Sequence, residues 1–115
     1  MKPQLARVVC YVRDVANLAE WYCETFDLEI KFDAREDGWI ELEGSNGCSL
    51  AFHTIGDPSP ACTEIAFVVS DIGEARRQLA AKGIDIVGEI MSWRHYQCCK
   101  GRDPEGNTFQ LINPS

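Results

Sequence analysis

No apolar run in the chain approaches the roughly 20 residues needed to cross a bilayer, so a membrane partner is not expected. The start, Met1-Lys2-Pro3-Gln4, has no apolar core behind its lysine, so no secretory signal is read there and the expected location is cytoplasmic. Positive charge is scarce: 11 Lys and Arg stand against 18 Asp and Glu, a net charge of -7. That argues against nucleic acid as a partner, because phosphates require a basic face. It suits a cationic ligand, or nothing beyond solubility. Histidine is limited to His53 and His95. The six cysteines form no C-x-x-C pair, and neither histidine sits at zinc-finger spacing from them. Free, buried thiols are therefore expected. Cys98 and Cys99, adjacent in a strand, should point to opposite faces.

What is present is ordinary for a globular domain: 115 residues, 45% hydrophobic and 25% charged, enough to bury a core. "ARVVCYVR" reads as a β-branched strand, and Asp14 as the N-cap of a helix over 15–26 with Val15, Leu18, Tyr22 and Phe26 on one face. Three strands are expected next, at 29–32, 39–43 and 48–54, joined by the hairpin stretches "REDG" and "GSNG". After the linker "GDPSP" the pattern repeats. "TEIAFVVS" is a strand, Asp71 caps a helix over 72–82, and Gly83 stops it. Strands are expected at 84–90, 93–99 and 108–112, with "DPEGN" as the last hairpin turn. The fold class is α+β. A single domain spans 1–115, built of two βαβββ modules at about 5–55 and 61–113, each too small to bury much alone.

In that order, "VVCYVRDVANLAEWYCETFDLEI", "IAFVVSDIGEARRQLAAKGI" and "RDPEGNTFQLINP" resemble the vicinal oxygen chelate superfamily, which includes glyoxalase I, fosfomycin and bleomycin resistance proteins and extradiol dioxygenases. Trp21-Tyr22 stands where that family usually has Phe-Tyr, and Asp-Pro-x-Gly-Asn before the last strand is the most specific piece. The resemblance implies curved mixed sheets around one cavity. For a chain of this size it also implies a domain-swapped homodimer that shares two such cavities.

Strand alternation then sorts residues between helix side and cavity side. Val8, Cys10, Val12, Ile40, Leu42, Leu50, Phe52, Ile65, Phe67, Val69, Phe109 and Leu111 are expected in the core. Arg7, Val9, Tyr11, Trp39, Glu41, Glu43, Ser49, Ala51, His53, Glu64, Ala66, Val68, Thr108, Gln110 and Ile112 are expected on the open faces. Trp93, His95, Gln97 and Cys99 are expected to share one face of the penultimate strand.

The resembled metalloenzymes place His and Glu ligands seven residues before each capping Asp and in the last strand of each module. Here those places hold Arg7, Glu64, Gln110 and about Ala51. Arg7 offers no lone pair, Ala51 offers nothing, and Gln110 offers only a neutral carbonyl. No cofactor is therefore expected; a divalent metal at His53, Glu64 and Gln110 is the alternative. Arg7 is expected to stand in for the cation, reaching Glu64 of the partner chain with Gln110 bridging.

The expected function is sequestration of a small organic ligand, aromatic or cationic, without the usual metal site. Arg7, Tyr11, Trp39, Glu41, Trp93, His95 and Gln110 are the candidate binding residues, with aromatic walls and an acidic lining from Glu41, Glu43 and Glu64. The alternative is a metal-dependent lyase, isomerase or dioxygenase with Glu64 as general base and His53 as its partner. A scaffold that only retains the fold is a third class.

Overall fold

The computed structural model describes residues 7–54, 64–93 and 96–114, with the backbone alone at 93, 96 and 114. Its backbone falls into two compact units, Met1–Ala61 and Cys62–Ser115. Each repeats one plan: strand, helix, three strands.

In the first unit β1 (Val8–Val12) leads to α1 (Val15–Phe26), then β2 (Glu29–Ala34), a 3-10 turn at Arg35–Asp37, β3 (Trp39–Glu43) and β4 (Ser49–Thr54). The sheet order is β1-β4-β3-β2, with β1 and β4 parallel and the other pairs antiparallel. Asp14 caps α1 as its residue type demands: its carboxylate accepts the backbone N–H of Asn17 at 3.1 Å. Asp27 ends the helix in the left-handed conformation at φ 55°. One side of the sheet meets this helix. Tyr22 stacks on Phe52 with ring centroids 5.3 Å apart, among the buried side chains of Val12, Leu18, Ile40 and Leu42. Val8, expected in this core, is instead 52% exposed.

The second unit runs β5 (Ile65–Val68), α2 (Ile72–Ala81), β6 (Asp85–Trp93), β7 (Tyr96–Arg102) and β8 (Thr108–Pro114), in the matching order β5-β8-β7-β6. Asp71 caps α2 by accepting the Glu74 N–H at 3.0 Å. Phe109, Leu111 and Cys99 are buried beneath Ile72 and Leu79. The turn "DPEGN" owes its shape to Asp103: one carboxylate oxygen accepts the N–H groups of Glu105 and Asn107, each at 2.9 Å. Gly106 takes φ 82°, where a side chain would be strained. The turn thereby fixes Lys100 opposite Gln110 and Gly101 opposite Phe109.

Two β-strand expectations are corrected. β6 runs past Ile90 to Trp93, whose backbone pairs with Tyr96, so Trp93 belongs to β6 and not to the penultimate strand. The cause is a bulge between Val87 and Met91, where Gly88 takes φ 75° and the carbonyl accepts a hydrogen bond from Arg76 of α2 at 2.8 Å. Gln97 and Cys99 then face the helix, since Cys99 lies opposite the buried Leu111.

None of the five described cysteines is joined to another in a disulfide. Cys10 and Cys99 are buried as expected, but Cys48 is exposed beside the β3–β4 turn. Cys98 and Cys99 do point to opposite faces, Cys98 toward Gln110 on the open side. Burial pushes the Cys99 thiol up, against a smaller downward pull from Arg76.

Two outcomes are expected. Gly101→Ala should lose about 1–3 kcal/mol of stability in urea unfolding, because a Cβ there would sit 2.5 Å from the Phe109 ring. Phe109→Leu in the same chain should restore part of it. In native-state alkylation at pH 8 followed by peptide mass spectrometry, Cys48 should react before Cys99, whose raised pKa leaves little thiolate.

Candidate functional site

The side of the first sheet away from α1 carries Arg7, Tyr11, Trp39, Glu41 and His53, so five of the expected site residues share one surface. At its centre Glu41 is 7% exposed, the deepest carboxylate on this face. An isolated buried charge would be costly, and here it is met from two sides. Arg7 Nε lies 3.2 Å from one carboxylate oxygen and Lys31 Nζ lies 3.6 Å from the other. Lys31 also donates to Ser49 Oγ at 3.0 Å. The Arg7 guanidinium stands 5.9 Å from the Trp39 ring centroid.

Lys31 and Phe32 are site residues that sequence alternation missed. Adjacent strand residues ordinarily face opposite ways, yet both sit on the Glu41 side. A bulge between Ile30 and Phe32 is the reason: Lys31 is the extra residue, and Phe32 comes to lie opposite Glu41. Nothing in "EIKFDA" signals this by itself.

His53 lies between two aromatics, its ring centroid 6.0 Å from Tyr11 and 5.5 Å from Trp39. Its Nδ1 is 3.0 Å from the Gly38 carbonyl oxygen. A carbonyl only accepts, so Nδ1 carries the proton in this contact. Arg7, Lys31, Phe32, Trp39 and Glu41 line an open pocket of about 460 Å³.

The second sheet holds Glu64 and Gln110. Gln110 Nε2 donates to Glu64 Oε2 at 2.7 Å, and Lys100 Nζ pairs with Glu64 Oε1 at 3.2 Å. Gln110 does meet Glu64, as expected. Arg7, however, finds its carboxylate in Glu41 of its own sheet, and the charge partner of Glu64 in its own sheet is Lys100. Lys100 was legible in principle, since counting outward from Asp103-Asn107 puts it opposite Gln110. The side chain of Trp93, and the whole of His95, lie outside the described residues.

Of the expected acidic lining, Glu41 is thus met by two cations and Glu64 by one. The same pairing bears on a divalent metal. Arg7 and Ala51 bring no donor, and both oxygens of Glu64 are already engaged. Among the described residues no three His, Cys, Asp or Glu side chains are grouped to hold a metal ion. Arg7, Ala51, Glu64 and Gln110, the residues at the resembled ligand positions, do not as a set fit a metal of the resembled kind.

A family model described as Glyoxalase/Bleomycin resistance protein/Dioxygenase superfamily matches residues 4–111. No curated protein matches the sequence. Among solved structures, the chain is similar to an integron cassette protein from the mobile metagenome of the Halifax Harbour sewage outfall. The two are 18% identical, with 96% of this chain and 97% of that one covered and a TM-score of 0.81. A glyoxylase/bleomycin resistance protein/dioxygenase domain from Frankia sp. EAN1pec is 16% identical over 100% of both chains, with a TM-score of 0.78. The genomically encoded fosfomycin resistance protein FosX from Listeria monocytogenes is 14% identical, over 100% of this chain and 96% of that one, again at 0.78. At such identities the likeness is one of fold. Among the described residues no helix is long and apolar enough to cross a membrane.

Arg7→Met should cost about 1–2 kcal/mol in urea unfolding, below the roughly 3–5 of a fully buried pair, because Arg7 is half exposed and Lys31 remains. Adding Glu41→Gln should recover much of that loss. Lys100→Met should cost less than about 1 kcal/mol, since both ends of its pair reach solvent. Equal costs for Arg7→Met and Lys100→Met would contradict the difference in depth.

Proposed function

The chain belongs to the Glyoxalase/Bleomycin resistance protein/Dioxygenase superfamily, and from that premise we propose that it is a small-molecule-binding protein. Its binding surface is the open face of the first sheet, and its ligand is a flat aromatic compound. The observation that carries this reading is the pocket of about 460 Å³, within the ordinary range for small ligands, with Trp39 and Phe32 on its wall. Phe32 is 59% exposed, an unusual position for a phenyl ring. Tyr11 and His53 extend the aromatic surface beside Trp39. Arg7, Lys31 and Glu41 supply the few polar groups that orient a ligand.

The donor set supports binding without a resident divalent metal. In this reading Glu64 and Gln110 form a charge-satisfied pair with Lys100, and Glu64 is not a general base. The protein acts as a homodimer in the cytoplasm, sequestering its ligand as a bleomycin resistance protein does in the resembled superfamily. Trp93 and His95 remain proposed contacts in the second module.

Naphthalene-2-carboxamide, a flat neutral probe, should quench Trp39 fluorescence saturably and raise the melting temperature. Trp39→Leu should abolish the binding, with the fold retained by circular dichroism. Elemental analysis of the purified protein should find less than about 0.1 metal ion per chain. One zinc, nickel, manganese or iron per chain would favour the metal-dependent lyase, isomerase or dioxygenase and overturn this reading.

A further inference from the structure

The groove in the first module carries three charges, and their depths differ. Glu41 is sunk, its side chain 10% exposed, while the side chains of Arg7 and Lys31 are each 45% exposed. The single carboxylate therefore lies beneath two cations. A molecule arriving from solvent meets the guanidinium and the ammonium first, and Glu41 is already paired with both. Among the five residues that line the pocket, two positive charges against one negative leave a charge of +1, with Glu43 farther along the same face outside that lining.

The cations also have unused donors. Arg7 meets Glu41 through Nε, and among the described residues no second carboxylate pairs with it. Lys31 uses its ammonium on Ser49 at 3.0 Å and more loosely on Glu41 at 3.6 Å, which leaves one N–H of three without an assigned acceptor. Trp39 and Phe32 flank these groups.

We infer that this groove selects flat aromatic molecules bearing an anionic group, such as an aromatic carboxylate, over neutral or cationic molecules of the same shape. The ring packs against Trp39 and Phe32, and the anion takes the outward donors of Arg7 and Lys31. The inference rests on the reading of this groove as the binding site. It reverses the preference that the acidic composition suggests. A cationic ligand would have to approach Arg7 and Lys31 to reach a carboxylate they already neutralise. An anion adds charge-assisted hydrogen bonds without displacing the Glu41 pairs.

The test compares three probes of one shape by fluorescence titration and calorimetry: 2-naphthoate, naphthalene-2-carboxamide and 2-naphthylmethylamine. Naphthoate should bind at least about ten-fold tighter than the amide, the amine should bind weakest, and the gap should narrow as salt rises. Lys31→Met keeps the Arg7–Glu41 pair and so should fold. It should weaken naphthoate by about three- to ten-fold and the amide by clearly less, because only the anion's bond to Lys31 is charge-assisted at both ends. Glu41→Gln removes the sunk charge and should tighten naphthoate. If the amide or amine binds as tightly as naphthoate, anion selection is overturned while the aromatic groove stands. Equal weakening of all three probes by Lys31→Met would also overturn it, because Lys31 would then act through structure alone. If none of the three binds, the groove is not the binding site and both readings fall.

Discussion

A single carboxylate organises the first module's open face. Glu41 lies on β3, inside the sheet, where an unpaired charge would destabilise the fold. Its satisfaction requires help from both directions. From one side Arg7 must cross β4 to reach it, and the residue of β4 opposite Glu41 is Ala51, too small to stand in the way. From the other side Lys31 must turn to the same face as Phe32, and only the bulge in β2 allows that. The small residue, the bulge and the ion pairs are parts of one solution. The pocket follows from it, because the same bulge that delivers Lys31 also delivers Phe32 to the groove.

The second module solves the same geometric problem with the signs reversed. Arg7 and Glu64 each precede their helix-capping Asp by seven residues, and Glu41 and Lys100 each lie opposite the corresponding residue of the last strand, Ala51 or Gln110. Both pairs close to 3.2 Å. In the first module the cation starts from the leading strand and the anion waits on the third; in the second the order is inverted. Gln110 replaces the small Ala51 and adds its own hydrogen bond to the carboxylate. Lys100 and Gln110 together satisfy both oxygens of Glu64 within its own sheet.

The sequence was most informative where local chemistry decides structure. Asp14 and Asp71 cap helices because their carboxylates can reach a backbone N–H three residues on, and that depends on nothing distant. Tyr22, Phe52, Phe109 and Leu111 are buried where alternation and helical spacing put them. Alternation failed where a bulge shifts the register. Lys31 and Phe32 were passed over, and Trp93 was given to the wrong strand, because Gly88 and its neighbours lengthen β6. Alternation places a residue on a face, but it cannot choose a partner for that residue. Within the chain Arg7 meets Glu41, a partner that alternation cannot tell from Glu64 until the strand order of each sheet is known.

The same limit governs charge. A net of -7 describes the whole chain, yet a ligand meets only the charges that reach it. Coulomb interactions weaken steeply in solvent and strengthen with burial, so the order in depth counts for more than the total. A sunk carboxylate with two salt-bridged cations above it presents a positive surface from an acidic protein. Composition argues against a polyanion such as nucleic acid, which would have to bind across many residues. It could not decide the sign at one groove, because that sign depends on which side chain a bulged strand lifts over Glu41.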